Sequence, residues 1–185
     1  MKTVEAIKDV EKLQAMKRFL KSRSFRDYSL FILGINTGIR IYDLLHIRVN
    51  ELMSESFEVF HYLRSDLYTD PPVYLNDSVH HAVRACIQER ALQHTDFLFK
   101  SRKTNEPISR QQAYRIINEA SKHAGLTGST GTHTLRKTFG FHAYKKGIAI
   151  SLIQKRLQHH TPSETRQYIG LKTQETMPIQ LDVNL

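Results

Sequence analysis

Apolar residues recur along the chain at two different periods. Over 9–21, Val10, Leu13, Met16, Phe19 and Leu20 stand three and four apart, which puts them on one face of a helix. Asp9 precedes the run and suits an N-cap. A second helix is expected over 25–36, with Tyr28, Phe31, Ile32 and Ile35 as its buried stripe and Gly38 just beyond it. A short third helix fits 41–47. From Phe57 the texture changes, because Phe57-Glu-Val-Phe-His-Tyr-Leu63 is rich in β-formers and reads as a strand. Asp70-Pro-Pro72 breaks the chain and Val73-Tyr-Leu75 resumes extended, so a small hairpin or three-stranded sheet is expected there.

Helical signals then return. Asn76 or Asp77 can cap a helix over about 78–91, and Phe97-Leu-Phe99 is a short extended piece. Ser109-Arg-Gln-Gln112 is a capping box that opens a helix to about Ala124, with Gly125 ending it. Residues 133–146 read as a helix stopped by Gly147, and 149–158 as another. Thr161-Pro-Ser-Glu164 is a second capping box, with proline at the first helical position, opening a short helix through Tyr168. The architecture expected is mainly α with a small antiparallel β-sheet, in the α+β class.

Composition narrows the class. A chain of 185 residues is long enough for a hydrophobic core of its own. Cys86 is the only cysteine, which excludes an internal disulfide and a multi-cysteine zinc site. The longest apolar runs, such as Leu30 to Ile35, are too short to span a bilayer. The start Met-Lys-Thr-Val-Glu is not a secretory signal, so a cytoplasmic protein is expected. The net charge is +9 and unevenly placed. Residues 1–99 carry 13 basic and 13 acidic groups, residues 100–172 carry 14 and 3, and the rest carries Glu175 and Asp182 alone. A block this basic suits a polyanion such as nucleic acid.

Three segments carry candidate chemistry. In Thr37-Gly-Ile-Arg40-Ile-Tyr-Asp43-Leu-Leu45 an arginine follows a glycine turn at the head of a helix. In Gly131-Thr-His133-Thr-Leu-Arg136-Lys137 a histidine and an arginine sit three apart on one helix face. In Leu157-Gln-His159-His160-Thr161 a histidine precedes Tyr168 by nine residues. The His159-His160 pair has no Asp, Glu or Cys at ligand spacing, so no metal is expected.

In this order the segments resemble the catalytic domain of the tyrosine recombinase, or phage integrase, family. The likeness covers roughly 7–172, and Phe97-Leu-Phe-Lys-Ser-Arg-Lys followed by Ile108-Ser-Arg is also similar to family members. The resemblance implies site-specific recombination of double-stranded DNA through a 3′-phosphotyrosine. Tyr168 would be the nucleophile, Arg40 and Arg136 the phosphate clamp, His133 the proton acceptor and His159 a further hydrogen-bond donor to the phosphate. Asp43, one turn after Arg40, would hold its guanidinium in place. Arginine clamps can replace metal ions in phosphoryl transfer, so no cofactor and no small-molecule substrate are implied. Arg102, Lys103, Arg110 and Lys137 are candidate DNA contacts.

The chain also departs from the family pattern. The lysine usually found in a turn of the small sheet is missing, since no lysine lies between Lys21 and Lys100. Arg64 is the nearest cation, yet a guanidinium is a poor proton donor. Lys100 or Lys103 reaching in from a loop is one substitute. Weak cleavage, or a non-catalytic DNA-binding regulator on the same fold, is the alternative reading. The expected organisation is a catalytic domain over 1–172 and a tail over 173–185, without a separate N-terminal DNA clamp. Leu171, Met177, Ile179 and Leu181 would dock on a neighbour in a tetrameric synapse.

Overall fold

The computed structural model describes residues 4–171 except 67, 69 and 129. Nine helices are formed among them. Helix α1 (Val10–Arg23) starts where expected, because the Asp9 carboxylate accepts from Glu11 N at 2.8 Å and Lys12 N at 3.4 Å. Helix α2 (Phe25–Thr37) is the axis of the domain and packs against α1, α5 (Asp77–Arg90), α6 (Arg110–His123) and α7 (Thr132–Lys145). Leu30, Phe31, Ile32, Leu33 and Gly34 are all buried, as befits a helix surrounded on every side. The expected single stripe is therefore too narrow, and Tyr28 and Ile35 are only half-buried.

Caps explain the other starts. Asn76 accepts from Val79 N at 3.1 Å and opens α5. Ser109 and Gln112 form the reciprocal capping box of α6. Helix α3 (Ile41–Leu45) is the short third helix, and α4 (Val49–Leu52) is a single turn absent from the sequence reading. Glu51 stabilises that turn by accepting from Arg48 N at 2.7 Å.

The expected sheet does not appear as a continuous ladder among the described residues. Isolated antiparallel bridges stand in its place, Met53 with Val59 and Tyr62 with Tyr74. Leu63 N donates to Val73 O at 2.9 Å and Leu75 N to His61 O at 2.8 Å. Beyond these pairs the ladder is cut at both ends. Pro72 has no N–H to donate, and Asn76 has already become the cap of α5. On the other side, Leu52 ends α4 rather than extending a strand.

Helices α8 (Ile150–Leu157) and α9 (Pro162–Tyr168) are the last among the described residues. They pack on the second half of α7 around a small separate core of Phe141, Ile153, Leu157 and Ile169. A side chain at Gly140 would stand 2.6 Å from the Ile169 Cγ2, so glycine is required for α9 to lie this close. Leu171 packs, half-buried, onto the same small core. The tail over 173–185, with Met177, Ile179 and Leu181, lies outside the described residues. Among the described residues no helix is long and apolar enough to cross a membrane.

Candidate active site

Arg136 ties the two cores together. It lies on α7, where its Nε donates to Gly38 O at 2.9 Å and its Nη2 donates to Leu157 O. Gly38 ends α2 in the left-handed region, at φ 68°, which glycine adopts without strain. That turn presents its carbonyl to Arg136 and sends the chain into Arg40, the N-cap of α3. Arg40 is exposed. Its charge acts on both Arg136 and His159.

Tyr168 is the last residue of α9 and leans on the small core. Its hydroxyl is buried and has no hydrogen-bond partner among the described residues. Burial pushes the phenol pKa up, and the Arg136 charge pulls it back. The His159 ring meets the Tyr168 ring edge-on, with centroids 4.8 Å apart. The Lys137 ammonium lies over the Tyr168 ring, 5.0 Å from its centroid.

Local chemistry fixes His159. Its Nδ1 pairs with Thr165 Oγ1 at 3.1 Å, and that hydroxyl donates to Thr161 O at 3.2 Å. With the threonine proton committed to Thr161, Nδ1 is the donor and Nε2 is left open. Thr161 caps α9 through Glu164 N, and Glu164 in turn accepts from His160 N at 2.9 Å. Burial lowers the His159 pKa, with Glu164 opposing and Arg136 and Arg40 adding to the depression. His133 is likewise held low, by burial first and then by Arg110, Arg136 and Lys137.

The fold thus brings Arg40, Arg136, His159 and Tyr168 within one electrostatic neighbourhood, and His133 joins it through Arg136. Lys137 and Arg110 border the same place. Arg102 and Lys103 do not. They line a polar cleft of about 340 Å³ with Arg23, Arg26 and Asp27. Lys100 is held by Asp96 at 2.7 Å. The Arg64 guanidinium lies over the Phe60 ring, 3.6 Å from its centroid, so it makes a local aromatic contact.

Asp43 departs from its expected role. Its Oδ2 accepts from the Tyr68 hydroxyl at 2.6 Å, and among the described residues it forms no ion pair with Arg40. Tyr68 also accepts from Arg40 N at 3.2 Å. Burial and the Asp43 contact push its phenol up to about 12. Arg156 was equally invisible to the sequence reading. It is 8% exposed and gives its Nη2 to Pro71 O and Pro72 O, both at 2.7 Å, and its Nη1 to Thr37 O at 3.4 Å. Three carbonyls compensate this buried charge, and the Asp70–Pro72 turn is thereby held against α8. Thr165, six residues from His159, was open to local reasoning; Tyr68 and Arg156 carry no sequence signal linking them to Arg40.

The sequence matches the phage integrase family over residues 6–175. The probable integrase/recombinase YoeC of Bacillus subtilis is 37% identical over 178 residues, covering 95% of this chain and 94% of that protein. The type 1 fimbriae regulatory protein FimE of Escherichia coli is 34% identical over 148 residues, covering 77% and 73% of the two chains. The fold is similar to the crystal structure of XerA recombinase, with a TM-score of 0.73 at 21% identity over 92% of this chain; the chain spans 60% of the XerA chain. With a family match over nearly its whole length and relatives above 30% identity, this chain belongs to the phage integrase family of tyrosine recombinases, the DNA strand-transferases.

Proposed function

We propose that the protein cuts and rejoins double-stranded DNA at a specific site, with Tyr168 as nucleophile. The observation that carries this reading is the Tyr168 hydroxyl, buried, without a hydrogen-bond partner among the described residues and beside the Arg136 charge. A structural tyrosine buried this way would normally satisfy its hydroxyl. An unsatisfied one has its oxygen uncommitted to any other group, and α9 must shift to bring it to a phosphorus.

The Tyr168 oxygen attacks the scissile phosphorus, a bond forms to it, and the bond to the 5′-oxygen of the next nucleotide breaks. A 3′-phosphotyrosine and a 5′-hydroxyl result. The tyrosyl proton passes to His133, whose depressed pKa leaves it neutral and able to accept. Charge gathering on the non-bridging oxygens is met by the Arg40 and Arg136 guanidiniums, and by His159 once the approaching anion draws a proton onto its open Nε2. A hydroxyl on the partner strand reverses the step, so the bond energy is kept and no cofactor is consumed. Arg110 and Lys137 border this site and contact the DNA backbone, and Arg102 and Lys103 extend the contact further out.

Self-association on DNA belongs to the same reading. An apolar cleft of about 290 Å³, with exposed Tyr74, Ile148 and Leu152 along it, suits an apolar segment of a neighbouring copy in a tetrameric synapse. The reaction places the protein with the DNA, in the cytoplasm.

Covalent trapping tests the proposal. The protein is incubated with nicked fragments of its own genome and separated on a denaturing gel. We expect an adduct that disappears in Tyr168→Phe. Adducts that persist in the variant would reject Tyr168 as nucleophile, and clear DNA binding with no adduct at all would reject strand transfer.

A further inference from the structure

The turn in which a lysine is expected carries a tyrosine instead. Tyr68 is 6% exposed, and its hydroxyl touches the Arg40 segment twice, donating to Asp43 Oδ2 at 2.6 Å and accepting from Arg40 N at 3.2 Å. Asp43 stands one helical turn after Arg40, the spacing at which a carboxylate and a guanidinium pair along a helix. That pairing is not made. Among the described residues no side-chain hydrogen bond or ion pair holds the Arg40 guanidinium, which is exposed, and its charge reaches Arg136 and His159.

We propose that Tyr68 is a positioning residue for Arg40: its hydroxyl occupies the Asp43 carboxylate and fixes the Arg40 backbone, leaving the Arg40 guanidinium free for the scissile phosphate. The inference rests on the strand-transfer reading above and deepens it. A guanidinium forked onto a carboxylate has its paired donors occupied, so a phosphate oxygen must first displace that carboxylate. Tyr68 removes the competitor in advance. It holds its proton while doing so, since burial and Asp43 keep the phenol protonated at neutral pH.

Tyr68 is itself anchored. Arg156 holds the carbonyls of Pro71 and Pro72, and Lys155 reaches Asp70 at 3.3 Å. The turn is thus bound to α8, whose end carries the Leu157 carbonyl taken by Arg136. Tyr68 therefore links the position of Arg40 to the same frame that positions Arg136.

The test is Tyr68→Phe, alone and combined with Asp43→Asn, read by the rate of covalent adduct on trapped DNA. Tyr68→Phe keeps the ring, deletes both hydrogen bonds and releases Asp43 onto Arg40. We expect a fall of roughly 10- to 100-fold, the scale of a small misplacement at a reacting centre. Adding Asp43→Asn removes the capturing charge and restores most of the rate, which loss of a merely structural contact would not allow. A Tyr68→Phe rate equal to that of the wild type, or a double variant no faster than the single one, overturns the proposal.

A measurement on the unaltered protein stands beside it in case Tyr68→Phe does not fold. The Arg40 Nε–H resonance, identified by its loss in Arg40→Lys, is expected to exchange rapidly with solvent. A slowly exchanging, carboxylate-paired signal overturns the proposal. If the wild type traps no DNA, the strand-transfer reading fails; if it traps DNA but the rescue fails, only the role of Tyr68 does.

Discussion

Two cores of unequal size carry the two halves of the active site. The larger one surrounds α2 and includes residues of α1, α5 and α6 together with Leu135 of α7. Arg40 follows directly from that helix. The smaller one consists of Phe141, Ile153, Leu157 and Ile169, with Tyr168 and Leu171 packed on it. Arg40 of the proposed phosphate clamp thus stands on the well-buried unit, and Tyr168, the proposed nucleophile, on the unit with fewer apolar contacts. Units of the second kind open first and most often. Presenting Tyr168 to DNA in the proposed reaction is served by this asymmetry. Arg136, bonded to Gly38 O on one side and Leu157 O on the other, holds the two units together.

Cutting that strap is the most damaging way to break the comparison. Arg136→Lys leaves one ammonium in place of a planar fork and cannot keep both carbonyl bonds. Adduct formation should fall by at least roughly 100-fold, the range for losing one preorganised charge stabiliser. Amide hydrogen exchange over α8 and α9 should rise at the same time. A variant that is slow yet shows unchanged exchange would deny the strap.

The next largest effect separates the units directly. Leu157 is fully buried in the small core and Leu33 in the large one. Either change to alanine removes about 2–5 kcal/mol. For Leu157→Ala the loss should appear as faster exchange confined to α8 and α9, whereas Leu33→Ala should lower the melting temperature of the whole domain. Equal global losses would show a single cooperative core.

Acid should act on the smaller unit through His159. Its pKa in the folded protein is depressed, chiefly by burial, and that of His133 is depressed as well. The unfolded chain therefore takes up these protons first as pH falls. Stability is fully present above the ordinary histidine value of about 6.5 and declines below it toward the depressed values. Thermal melting between about pH 7.5 and pH 5 should show this decline, and His159→Gln should reduce it. An unchanged profile in that variant would remove His159 as the cause.

The smallest effect is expected at Arg64. Its guanidinium lies over Phe60, an exposed contact of about 0.5–1 kcal/mol. Arg64→Lys should change adduct formation by less than about fivefold on that scale. A large rise would mean that the turn had lost its proton donor at this position.

The helices were legible wherever their signals were local. Asp9, Asn76, Ser109 and Thr161 each cap the helix that their spacing announced. The short turn α4 escaped because its stabilising bonds come partly from elsewhere, as when Val49 N donates to Asp96 O. The β-rich composition of 57–63 reads as a strand, yet Phe57 turns at φ 62° and only isolated bridges form at Val59 and Tyr62, because Pro72 and the cap of α5 prevent a ladder from growing. Helix α2 looked one-sided because periodicity reports one stripe, while four neighbouring helices cover the rest.

The same division runs through the active site. The family resemblance of their order picked out Arg40, His133, Arg136, His159 and Tyr168, and the fold brings Arg40, Arg136, His159 and Tyr168 into one electrostatic neighbourhood with His133 beside Arg136. The sequence alone also set the starts of the helices that open on Asp9, Asn76, Ser109 and Thr161, because caps act over three or four residues. Only the tertiary structure decided that Asp43 serves Tyr68 rather than Arg40, and that Arg156 holds the turn 84 and 85 residues away. A carboxylate with two partners in reach takes the one that packing delivers, and packing across such separations leaves no trace in local spacing.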